Sequence, residues 1–190
     1  MKRIAISSGH YPERRGAYFE GLAEHELANE WVDILFDTFD DLYDFDVSPP
    51  EFDLVPVPTG TLREKVAFVN SNYFDFAIEL HFNSAHRKAS GSETLFMPNS
   101  QRGYEFATIV QEHIAPALQI RDRGVKEGFF WSTRERTNTP LYFLRRTNCP
   151  AIIIEPEFLQ SYRQTMDHET IKNFCFALIE ALNTISIEEI

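Results

Sequence analysis

The 190-residue chain is 43% hydrophobic, with seventeen Phe spread through its periodic segments. This composition excludes disorder and supplies a full core for one domain. The net charge of −11 excludes the basic footprint of a nucleic-acid-binding surface. Two cysteines, Cys149 and Cys175, cannot build a disulfide framework and have no CxxC spacing, so both read as small core hydrophobes.

In chain order, residues 3–8 read as a buried strand that stops at Ser7-Ser8-Gly9-His10. Residues 22–38 carry Leu22, Ala23, Leu27, Ala28, Trp31, Val32 and Leu35 at the spacing of an amphipathic helix. The Asp-rich stretch 37–53 reads as a loop, punctuated by Pro49-Pro50. Leu54–Val57 is a short strand, placed at an edge by Pro56. Thr61, with Glu64 three residues on, opens a helix to about Asn72 as a capping box. Residues 75–83 (DFAIELHFN) and 94–97 are strand-like, and residues 101–118 helical. Residues 120–148 are polar, interrupted by the aromatic cluster Phe129-Phe130-Trp131, which reads as either a sugar-stacking wall or buried core. Ala151–Ile154 is the strongest buried strand, and residues 168–184 form the closing helix. Strands alternating with helices predict an α/β fold with a largely parallel sheet.

No apolar stretch approaches the roughly 18 residues of a membrane span. Lys2 and Arg3 precede only three apolar residues before the polar SSGH, which is not a signal-peptide pattern. The expectation is a chain made in the cytoplasm, or a mature domain cut from something longer, with no membrane insertion.

Open α/β sheets carry their sites at the carboxyl ends of the strands. His10, His81 and Glu155 each fall there, on three different strands. Imidazole and carboxylate are both zinc ligands, and a catalytic zinc takes three protein groups and keeps an open position. His10, Glu24 and His81 are the candidate ligands, and Glu155 the candidate acid or base. The sequence His25-Glu26-Leu27-Ala28-Asn29 resembles the zincin motif HExxH, but Asn29 stands where the second histidine is required. His25 is therefore assigned to the solvated face of the helix. His86 reads as a loop residue, and His113 and His168 are isolated in helical segments.

SSGH, Gly21-x-x-Glu24 and Ile78-Glu79-Leu80-His81-Phe82-Asn83 together resemble the zinc-dependent N-acetylmuramoyl-L-alanine amidases of the type-3 class. Further segments match in the same order. Lys65 and Asn70 resemble the family's Arg-and-Asn helix, and Gly91-Ser92-Glu93-Thr94 its GxE turn. Arg121–Lys126 and Leu141–Arg145 resemble its following segments, and Pro150–Glu155 its closing strand. The IELHFN version looks most like phage endolysin amidase domains. Two stretches depart from the pattern: Ser7-Ser8 and Tyr11-Pro12 flank the first histidine, and residues 127–140 make a longer link.

The resemblance implies a twisted mixed, largely parallel sheet flanked by helices, of the phosphorylase/hydrolase type, in one domain over residues 1–190 without a separate cell-wall-binding module. It implies one Zn2+ per chain held by His10, Glu24 and His81, with Glu155 as catalytic acid/base. The bond cut would join N-acetylmuramic acid to L-alanine in peptidoglycan or a muropeptide. Asn83, Arg121, Arg123 and Arg145 are candidates for substrate binding. Such an enzyme would reach the wall by lysin-like release or non-classical export. Two alternatives stand beside it: another zinc amidohydrolase or exopeptidase, acting on free peptides or a poly-γ-glutamate-like polymer, and a binding module that has lost its chemistry.

Overall fold

The computed structural model describes residues 1–43, 49–85, 89–132 and 137–187. The first half comprises β1 (Lys2–Ser8), β2 (Tyr18–Phe19), β3 (Leu22–Ala23), α1 (Glu24–Leu42), β4 (Phe52–Pro56), α2 (Leu62–Ser71) and β5 (Phe76–Leu80). After these come β6 (Ser92–Phe96), α3 (Gln101–Leu118), β7 (Asp122–Glu127), β8 (Phe129–Ser132) and β9 (Thr137–Pro140). The chain closes with α4 (Tyr142–Arg146), β10 (Ala151–Glu155), α5 (Tyr162–Thr165) and α6 (His168–Ile187).

Six strands form one sheet in the order β4-β1-β5-β10-β6-β7. Helical crossovers make β4, β1, β5 and β10 parallel. No described helix separates β5 from β6, so β6 turns back and runs antiparallel to β10, with Glu93 opposite Glu155. β7 then pairs with β6 in parallel. The fold is thus α/β with a mixed, mostly parallel sheet. The carboxyl ends of β1, β5 and β10 share one edge with the amino ends of β6 and β7.

Both faces are covered, which is why the central strands read as continuous apolar runs. Ile4, Ile6, Phe76, Ile78, Ile152 and Ile154 face the core shared with α1, α3 and α6. Trp31 anchors that core, fully buried, donating from Nε1 to Tyr162 Oη at 2.9 Å and packed on Phe82 and Phe174. The alternate residues Ala5, Ala77, Ala151 and Ile153 face a smaller cluster with Val66, Val69, Phe143 and Leu144. Cys175 is buried in the larger core, while Cys149 is half-buried beside the smaller.

The capping box forms as expected: Thr61 Oγ1 accepts from Glu64 N, and Glu64 Oε2 accepts from Thr61 N at 2.8 Å. Three segments differ from the sequence reading. Leu22 and Ala23 belong to a tight hairpin, because Glu20 (φ 46°) and Gly21 (φ 86°) supply the two left-handed positions of the turn. α1 runs on to Leu42, with Phe39 buried against Phe52, and β4 takes Phe52 and Asp53 from the other end of the expected Asp-rich loop, whose residues 44–48 lie outside the described residues. The polar stretch 120–148 holds β7, the β8–β9 hairpin and α4. Phe129 and Phe130 are exposed on that hairpin and so are not core, and the Trp131 side chain lies outside the described residues.

No described helix is long and apolar enough to cross a membrane.

Candidate metal centre and active site

The site lies on the shared strand edge. Beyond β1, Gly9 N donates to Leu80 O at 2.6 Å, tying this segment to the end of β5. A Cβ on Gly9 would stand 2.7 Å from the His81 ring, so only glycine fits there. His10 follows in the left-handed region at φ 60°, a conformation disfavoured for a residue with a Cβ. Lys65 Nζ donates to the carbonyls of Ser8 and of His10, the latter at 2.6 Å, and so holds this backbone in place.

Glu24 opens α1. Its helix start has no side-chain cap; instead Glu24 N and His25 N donate to Ala17 O and Arg15 O, each at 3.0 Å. Ala17 N in turn donates to Glu24 Oε2 at 2.9 Å, and Phe82 N donates to Oε1 at 3.3 Å. Gly16 (φ 75°) completes the cradle: a Cβ there would stand 2.5 Å from Glu24 Oε2.

The carboxylate of Glu24 bridges two imidazoles. Oε2 faces His10 Nε2 at 2.9 Å, and Oε1 faces His81 Nδ1 at 2.8 Å. The His10 and His81 rings meet edge-on, 5.0 Å between centroids. The three potential ligand atoms all lie within 4.8 Å of one another. His81 Nε2 turns the other way, to Glu79 Oε2 at 3.1 Å. Burial would raise the Glu24 carboxyl, but the hydrogen bonds and charge of His10 and His81 outweigh it and hold the group far below its usual range. Burial would likewise depress His81, yet its bonds to Glu24 and Glu79 hold it well above the ordinary imidazole value.

This donor set fits a divalent metal. Two imidazole nitrogens and one carboxylate oxygen converge beside a cavity of about 310 Å³ lined in part by His10, His81 and Glu155. Three protein ligands next to open space is the pattern of a catalytic metal site, whereas structural sites are closed by four.

Glu155 ends β10 on the wall of the same cavity. Part of its side chain faces the cavity, but Oε2 is sealed from solvent and has no hydrogen-bond partner. Burial above all, helped by the negative charges of Glu24, Glu93 and Glu79, pushes this carboxyl up to about 8, with His81 opposing. A buried orphan oxygen is rare and calls for an explanation.

The remaining expected residues fall elsewhere. Asn83 Nδ2 donates to Glu93 Oε1 at 2.9 Å, and Arg123 and Lys126 pair with the other oxygen of Glu93. Arg123 also stacks over Phe158, 4.9 Å from the ring centre. Arg121 and Arg145 are exposed. None of Asn83, Arg121, Arg123 and Arg145 lines the cavity; Arg14 does. His25 is not solvated but only 4% exposed: Nδ1 donates to Gly9 O at 2.9 Å, and Nε2 accepts from Asn29 at 3.0 Å. The loop 15–17 folds over the first turn of α1 and buries the face that helical periodicity points outward. His113 Nδ1 is satisfied by Ile109 O at 2.8 Å, and His86 lies outside the described residues.

The sequence reading missed the roles of Lys65 and Glu79. Glu79 did carry a signal: it is a charged residue inside FAIEL, every member of which is buried.

Residues 4–172 match the family model described as N-acetylmuramoyl-L-alanine amidase. The chain belongs to this amidase family. Its chemistry is therefore that of a peptidoglycan amidase. A relative, the protein YqiI of Bacillus subtilis, is 28% identical over 160 residues, covering 83% of this chain and 70% of its own. A cell wall amidase of Bacillus anthracis is 29% identical over 111 residues, covering 54% of this chain but only 19% of its own. Among solved structures, an N-acetylmuramoyl-L-alanine amidase from Clostridium difficile 630 has a TM-score of 0.82 at 19% identity, covering 99% of this chain and 98% of that one. The catalytic domain of the CD27L endolysin has a TM-score of 0.65 at 24% identity, covering 95% and 98%. At these identities the structures speak for the fold alone.

Proposed function

We propose that this chain is a zinc-dependent hydrolase of the amide between the lactyl group of N-acetylmuramic acid and L-alanine. His10, Glu24 and His81 would hold one Zn2+, and residues 1–190 would act as one catalytic unit on the cell wall. The observation that carries this reading is the Glu155 carboxyl, with a sealed and unpartnered oxygen on a cavity wall shared with His10 and His81. A group left so costly to bury, next to a convergent ligand set, is a functional-site signature.

When bound, zinc would supply a Lewis acid that acidifies water and stabilises negative charge on the scissile amide oxygen. The protein's own groups do the rest. Glu155 accepts the proton of the attacking water and returns it to the departing L-alanine nitrogen, so that amine leaves and no net proton is consumed at the carboxyl.

The cavity also sets what can enter. Leu141, Tyr142 and Phe143 give it an apolar wall. Arg14 closes the turn Tyr11–Arg14, where its N donates to Tyr11 O at 2.9 Å, and its guanidinium has no ion-pair partner among the described residues. It is suited to the free carboxylate of the residue that follows L-alanine in the stem. Asn83, Arg121, Arg123 and Arg145 would meet more distant parts of the polymer.

Digestion of purified sacculi tests the proposal. New L-alanine amino termini that appear with the enzyme and cease on chelation support it. Cleavage of free peptides with intact sacculi would make the chain a peptidase.

A further inference from the structure

Glu79 and Lys65 are each only 2% exposed, in the smaller core between the sheet and α2. Apolar residues would cover that face at less cost, since removing two charges from water consumes most of what their attraction returns. Burial weighs on both groups, raising Glu79 and lowering Lys65. For Glu79, the hydrogen bond and charge of His81, with the charge of Lys65, more than offset it.

The contacts say what the pair is for. Lys65 Nζ lies 3.6 Å from Glu79 Oε1, near enough for charge compensation but beyond a hydrogen bond. It donates instead to the carbonyls of Ser8 and His10, including the left-handed backbone of His10. Glu79 Oε1 accepts weakly from Ser7 Oγ at 3.4 Å, while Oε2 meets the His81 ring. One member of the buried pair therefore holds the backbone of His10 and the other meets the ring of His81.

We infer that Lys65 and Glu79 are a paired positioning device: Glu79 takes the Nε2–H of His81 and so presents Nδ1 to the metal, while Lys65 neutralises Glu79 and fixes His10. This rests on the assignment of His10, Glu24 and His81 as ligands. An acceptor behind a ligating imidazole sets both its tautomer and its orientation. The consequence is specific: His81 binds through Nδ1, not through Nε2, the nitrogen that His10 turns toward Glu24.

Two measurements test it. Nitrogen NMR on the zinc-loaded wild-type protein should find His81 protonated at Nε2 and metallated at Nδ1; metallation at Nε2 would overturn the inference. The second uses Lys65→Met/Glu79→Leu, which replaces the pair by apolar residues. It should still fold, with a lower melting temperature because the carbonyls of Ser8 and His10 lose their donor, and bind zinc about 10- to 100-fold more weakly in chelator competition, with an altered visible spectrum when loaded with Co2+. Glu79→Gln keeps an acceptor oxygen and should retain much of the affinity. Wild-type zinc affinity in the folded double variant would reduce the pair to a structural role. A wild-type chain that bound no zinc would instead defeat the functional reading on which this rests.

Discussion

Glu24 and His81 meet at 2.8 Å, Oε1 against Nδ1, although one opens helix α1 and the other follows strand β5. The second oxygen of the same carboxylate faces His10 Nε2 at 2.9 Å. Removing either imidazole would leave two ligands, too few for an open site to retain its metal. His10→Ala and His81→Ala should therefore each lose zinc and amidase activity together. Metal analysis beside turnover checks this, and stoichiometric zinc in either variant would remove that residue from the ligand set.

His25 supports the site from beneath. Its Nδ1–H is the donor to Gly9 O, one residue before His10. His25→Ala strands a buried carbonyl, which costs about 1–3 kcal/mol. At about 2–4 °C per kcal/mol for a chain of this size, the melting temperature should fall by several degrees. Zinc stoichiometry should stay unchanged. A metal-free His25→Ala protein would place His25 among the ligands.

Arg14 should govern substrate affinity. On a substrate whose second stem residue keeps its free carboxylate, Arg14→Gln should raise KM about tenfold or more, the value of one charge-assisted contact of about 1.5–3 kcal/mol. On the amidated form, which lacks that charge, the two enzymes should differ little. Equal KM values on both substrates would leave Arg14 a solvated residue.

Glu155 makes the metal-free protein sensitive to pH. Its carboxyl titrates near 4.5 when unfolded and at about 8 in the fold. The folded state thus holds a proton that the unfolded state has released, so stability is lost as pH rises from about 4.5 to about 8. Glu155→Gln lacks this loss. In chelated protein its melting temperature should pull ahead of wild type between pH 5 and pH 8.5, whereas a constant difference would mean that Glu155 is not buried as a proton carrier.

That His10, His81 and Glu155 meet at one cavity was legible because strand ends bring distant sequence together: His10 and His81 each stand just past an apolar run, and Glu155 ends one. The central strands were legible for the same reason. β7 was not, since DRGVKE is a half-exposed edge strand whose polar residues blunt pairing and erase the apolar alternation. Lys65 and Glu79 could be seen as charged residues in periodic segments, but their partnership depends on α2 packing over β5. His25 was misread because helical periodicity knows nothing of a loop folded over the first turn.

The most direct test pairs zinc content with L-alanine release from sacculi for wild type and Glu155→Gln in matched preparations. The account predicts about one zinc per chain in both, as the ligand set is untouched, and a rate loss of about 10²–10⁴-fold in the variant, since an amide cannot carry the proton. Near-normal release by the zinc-loaded variant would contradict the mechanism, and a zinc-free variant would make Glu155 a ligand instead of the proton carrier.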